Sequence, residues 1–93
     1  MKKAYSIKTK YGIFSVLIWQ DRRDKLYLVD VPSFNHAMTQ GSTLGEAKEM
    51  AEDLLSILCE TALDEGKVVI DDTRRVYARG KMAIKTGPVA LVR

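Results

Sequence analysis

TQGSTLGEAKEMAEDLLSILCETAL, residues 39–63, is the stretch that decides the fold. Thr43-Leu44-Gly45-Glu46 has the form of a capping box. In that arrangement the threonine side chain accepts from the N–H of Glu46, and the glutamate reaches back to the N–H of Thr43. Ser42 is a rival cap one residue earlier, and Gly41 permits a sharp turn out of the preceding run. Beyond the cap, Leu44, Ala47, Ala51, Leu54, Leu55, Leu58 and Ala62 share one stripe at about 100° per residue. Glu46, Glu49, Asp53, Ser56 and Glu60 lie opposite, and Gly66 stands where a C-cap belongs. The pattern predicts a helix over 44–64.

A helix with one apolar stripe needs a partner surface, and the residues before it supply one. Ala4–Thr9 alternates weakly and suits a strand that turns at Lys10-Tyr11-Gly12. Ile13–Trp19 is a second, rich in β-branched and aromatic residues. Phe14, Val16 and Ile18 share one face of it, and Ile13, Leu17 and Trp19 the other. After a polar hairpin loop at 20–24, Lys25–Val31 forms an antiparallel partner. Its Leu26 and Leu28 oppose Tyr27, Val29 and Val31. Pro32-Ser33 interrupts the ladder, and Phe34–Gln40 is expected as a further strand. The fold class is therefore α+β: an antiparallel sheet of three to four strands with one long helix packed on one face. The other face keeps Ile13, Leu17 and Trp19, with Tyr27 a further candidate, and the C-terminal tail is the candidate cover.

Ninety-three residues make a single domain, 1–93, with a core at 13–65 and a basic, β-rich tail at 67–93. Within the tail, Thr86-Gly87-Pro88 is a turn signal before a short strand at 89–92. No apolar run approaches the roughly 20 residues of a membrane span. The basic start MKKAYSIKTK lacks the apolar core of a signal peptide, so the expected location is the cytosol, with no membrane partner. The single cysteine, Cys59, excludes an internal disulfide, and its place at the edge of the stripe suits a small buried hydrophobe.

The net charge of +3 hides an asymmetry. Residues 1–66 hold eight Lys and Arg against ten Asp and Glu, a net of −2; residues 67–93 hold seven against two, a net of +5. The helix region 44–65 carries seven acids against Lys48. Both the acidic helix and the basic tail could meet a partner of opposite sign, and a solvated surface is the bland alternative for each.

With strands and helix placed, Phe14–Leu63 resembles the HicB antitoxin family. The resemblance is carried by Tyr27-Leu28-Val29-Asp30-Val31-Pro32, followed at the family's spacing by Met38-Thr39-Gln40-Gly41-Ser42-Thr43-Leu44-Gly45-Glu46-Ala47. It covers about half of the chain. Three features depart from the family: Asn35-His36 replace the usual second proline and glycine of the turn, residues 1–12 are extra, and no C-terminal DNA-binding helical module is recognisable. The resemblance implies a partial ribonuclease H-like fold and a binding role. The partner would be a HicA-type RNA-cleaving toxin, neutralised by contact over its catalytic histidine. It also implies self-association as a dimer or tetramer.

Four candidate partner-binding residues follow: Trp19 on the second sheet face, and Glu49, Met50 and Asp53 on the helix. A ribonuclease presents a basic surface to phosphates, so its inhibitor does well to present acid. Met50 and Ile57 extend the stripe on one flank, either as anchors or as core. The alternative function is nucleic-acid binding by Arg74, Arg75, Tyr77, Arg79 and Lys81, with Arg75, Tyr77 and Arg79 on one strand face. An edge strand guarded by its cations explains the same pattern. A metal-dependent nuclease would need converging carboxylates. Ile13–Trp19 holds no acid, Asp21 and Asp24 sit in the hairpin loop, Asp30 lies on the neighbouring strand, and His36 is the sole histidine. No catalytic residue, metal ligand or cofactor is expected.

Overall fold

Two short-range ladders and one long helix account for most of the chain. The structure, a computed structural model, describes residues 2–78 and the backbone of Lys81–Ile84. Strands β1 (Lys3–Thr9), β2 (Gly12–Gln20), β3 (Tyr27–Val31) and β4 (Ala37–Gly41) form an antiparallel sheet in chain order. Helix α1 (Leu44–Asp64) packs on one face of it. A second antiparallel sheet of three strands follows: β5 (Val69–Ile70), β6 (Val76–Ala78) and β7 (Lys81–Ile84). The α+β architecture expected from the sequence is the one observed, and no helix among the described residues is long and apolar enough to cross a membrane.

The helix ends are set locally. Thr43 Oγ1 accepts from the N–H of Glu46 at 3.0 Å, as the capping box requires. The Glu46 carboxylate, however, takes the N–H of Ser42 rather than that of Thr43. At the C-terminus Gly66 adopts φ +85°, its N–H donates to Leu63 O, and the N–H of Lys67 donates to Ala62 O. That is the Schellman arrangement, in which the left-handed residue satisfies the last carbonyls. Gly41 is needed for a different reason than a turn. Its Cβ would lie 2.5 Å from Ala47 N and 2.8 Å from Ala47 Cα, so glycine lets the first helical turn sit against the end of β4.

The buried line of the helix is Ala47, Ala51, Leu55, Cys59 and Leu63. Cys59 is thus central rather than at the edge, while Leu44, Leu54, Leu58 and Ala62 are half-buried. A strict four-residue spacing advances about 40° per step around a helix of 3.6 residues per turn. The contact line therefore winds around α1, as suits a rod lying on a twisted sheet. The sheet contributes Ile7, Phe14, Val16, Ile18, Val29 and Val31 to this core, with Tyr27 packed against it rather than on the opposite face.

Three strand expectations shift. β3 begins at Tyr27, not Lys25, because the loop closes on itself. Asp21 N donates to Leu26 O at 2.8 Å, Lys25 N donates to Asp21 O at 2.9 Å, and Lys25 takes φ 61°. Pro32–Phe34 is a 3-10 turn, and Asn35 and His36 both adopt left-handed φ, 56° and 59°, before β4 starts at Ala37. Phe34 thereby leaves the ladder and packs on Phe14, with ring centroids 5.7 Å apart. The tail supplies Val69 and Tyr77 to the helix-side core instead of covering the second sheet face, among the described residues. The expected turn at 86–88 and strand at 89–92 lie outside the described residues.

Candidate functional site

β3 pairs with β2 only from Leu17 to Gln20, so the far half of β2 has backbone groups open on that side. The tail fills them. Asp72 N donates to Ile13 O at 2.9 Å, Ile13 N donates to Asp71 Oδ2 at 2.8 Å, and Ser15 N donates to Asp72 Oδ2 at 2.8 Å. Asp71 is only 3% exposed and also accepts from the backbone N–H groups of Thr73 and Arg75 and from the Thr73 hydroxyl. Burial alone would raise its pKa; the bonds from Ile13, Thr73 and Arg75 outweigh that and hold the carboxyl below its ordinary value. Gly12, at φ +112°, has no room for a Cβ, which would fall 2.2 Å from Asp71 Oδ2. Asp71 and Gly12 thus form the clasp between tail and sheet. The sequence marks Gly12 as a turn residue but does not join it to Asp71. The Asp71-Asp72-Thr73 run signals a local turn, but its partner lies 58 residues away.

The four partner-binding candidates divide between two surfaces. Trp19 has the opposite parity from Phe14, Val16 and Ile18, so it stands on the sheet face away from α1. It is half-buried, pairs in register with Leu28, and carries the Lys2 ammonium 4.2 Å from its ring centroid. Leu17 opposite Asp30, and Met38 opposite Asp30 on β4, extend this face. Met38 is 55% exposed. His36 Nδ1 lies 3.0 Å from Asp30 Oδ1, a pair that braces the left-handed turn, and among the described residues no hydroxyl or thiol is hydrogen-bonded to the ring.

Glu49, Met50 and Asp53 are together on exposed helix surface. Lys48 places its ammonium 4.7 Å from the Tyr5 ring on β1. Met50, about 200° further round, lies on the opposite flank, with Ile57 two turns along the same line. Met50 is 37% exposed and Ile57 59% exposed, so neither belongs to the core. Asp53 sits between them, with Glu49 and Glu60 beyond on the outer face. The result is an apolar pair flanked by acids on a helix fixed by its other side.

The tail candidates also separate. Arg74 and Arg75 are exposed, but Tyr77 is 6% exposed and packs edge-on against Tyr11, with centroids 6.4 Å apart. It is not free to stack on a base. Arg79 and the side chain of Lys81 lie outside the described residues. Cys59 is fully buried, and desolvation, followed by the neighbouring Glu60, pushes its thiol up to about 12. Such a thiol is inert as a nucleophile. Among the described residues no three His, Cys, Asp or Glu side chains are placed to hold a metal ion. No protein-family model, curated protein or solved structure matches this chain.

Proposed function

We propose that this chain is a binding module of the HicB antitoxin type, which neutralises a HicA-type RNA-cleaving toxin through protein–protein contact. The observation that carries the proposal is the outer surface of α1. Met50 and Ile57 project into solvent beside Glu49, Asp53 and Glu60, while Ala47, Ala51, Leu55, Cys59 and Leu63 anchor the helix to the sheet. Partially exposed apolar side chains ringed by one sign of charge suit a partner with a hydrophobic contact and a basic rim. A ribonuclease, built to hold phosphates, supplies the opposite charge. The face formed by half-buried Leu17, Trp19 and Leu28 with exposed Met38 is a second apolar surface, which we assign to self-association as a dimer or tetramer.

Binding is the test. A HicA-type toxin is expected to co-purify with this chain when the two are expressed together, and failure to do so would remove the antitoxin reading. Met50→Arg combined with Asp53→Lys replaces one anchor and reverses one charge without touching the buried line. The double substitution lowers affinity at least about tenfold, in keeping with a contact worth more than about 1 kcal/mol. Retention of full affinity, with the helical circular dichroism unchanged, would remove α1 as the contact surface.

A further inference from the structure

A cleft of about 310 Å³ opens where the β1–β2 turn meets the tail. Its walls include Lys8 and Lys10 from the hairpin and Arg75 from the tail, with Ile13 and Tyr77 as apolar lining. We infer that this cleft binds the phosphate group of a nucleotide. The inference is independent of the helix surface and of any toxin partner.

The electrostatic balance of the lining favours an anion. Three cations face a single carboxylate, Asp71, whose oxygens are already taken up by Ile13, Thr73 and Arg75. Among the described residues, neither Lys8 nor the Arg75 side chain has an ion-pair partner. Lys10 has only Glu60, at 3.9 Å. Cations that outnumber the acids around a concavity repel one another and raise the local concentration of anions. A guanidinium also offers the paired donors that match phosphate oxygens, with the ammonium groups as point charges.

The walls are held in place. Tyr11 at the hairpin tip donates its phenol proton to Glu60 Oε2 at 3.1 Å, which ties the turn to α1. The Asp71 clasp fixes the backbone of Arg75 through its N–H at 2.9 Å. The volume is at the low end of small-ligand clefts, suited to a phosphate and its sugar and too small for a duplex. Tyr77, edge-on to Tyr11, contributes a hydrophobic wall rather than a stacking platform.

The shared chemistry is a phosphate ester, carried by a free nucleotide or by a single strand. Fluorescence polarisation of a labelled single-stranded oligoribonucleotide, with and without competing adenosine monophosphate, separates the two sources. The parent chain is expected to bind the strand at low salt. Displacement by the monophosphate assigns the cleft to free nucleotides, and its failure assigns it to strands. Lys8→Ala with Arg75→Ala removes two exposed side chains and leaves every backbone bond of the clasp. It is expected to weaken binding about tenfold or more and to reduce the log–log salt slope by about 1.4, the value for two phosphate contacts on a single strand. Lys8→Gln with Arg75→Gln serves where the alanine pair loses helical signal. Arg22→Ala with Arg23→Ala, an equal charge change in the distant hairpin loop, is expected to leave affinity nearly unchanged. No binding of either probe at low salt would overturn the inference. Equal losses in the cleft and loop variants would overturn it too, since the attraction would then be net charge alone.

Discussion

Asp71 shows how much one side chain contributes to joining the tail to the sheet. Its carboxylate satisfies the N–H of Ile13 on β2 and those of Thr73 and Arg75 within its own turn. Asp71→Asn keeps the shape but places an NH₂ group against backbone donors. At least one buried donor is then unpaired, a loss of about 1–3 kcal/mol in chemical unfolding. The same carboxyl is held below its ordinary value in the folded chain. Its contribution is therefore fully present above the unfolded-state value, about 3.9, and fades as the pH falls through the lower folded value. Stability measured across this acid range is expected to fall less steeply with decreasing pH in Asp71→Asn than in the parent; parallel curves would show that Asp71 is not the titrating group. The local turn around Asp71 is legible in the sequence as an Asp-Asp-Thr signal. Its role is not, because only the folded chain brings it to Ile13 and against the missing Cβ of Gly12.

At the scale of elements, legibility follows how local the determining contacts are. Both ends of α1 depend on bonds spanning five residues or fewer, Thr43 with Glu46 and Lys67 with Ala62, and its limits agree with the sequence pattern. The position of β4 depends on how the chain passes Phe14, so Phe34 was legible as apolar but not as a 3-10 residue. Likewise Cys59 and Leu63 enter the buried line only because the helix lies on a twisted sheet. Two substitutions probe this packing. Leu55→Ala, at a fully buried position, is expected to cost about 2–5 kcal/mol of stability. Gly41→Ala pushes a methyl group into the backbone of Ala47 and should cost about 1–3 kcal/mol, read as a lower denaturant midpoint. A neutral Gly41→Ala variant would mean that the helix start shifts freely away from β4.

For the whole molecule, the candidate residues grouped by the sequence do not form one site. The sheet separates Trp19 from Glu49, Met50 and Asp53, giving two outward surfaces on opposite sides of a shared core. Alternating strand residues made the two faces legible. Which surface meets a partner was not, because the helix pattern could not tell whether Met50 and Ile57 were core or exposed. Acid and apolar groups side by side on α1, and cations around the cleft at the hairpin turn, divide the surface by charge. That division supports two separate binding roles. The most direct measurement of the central one is inhibition of RNA cleavage by a purified HicA-type toxin as this chain is titrated in. Cleavage should fall to background at a fixed molar ratio, and the Met50→Arg, Asp53→Lys variant should shift the curve to higher concentration. Undiminished cleavage in the presence of excess folded chain would contradict the assignment.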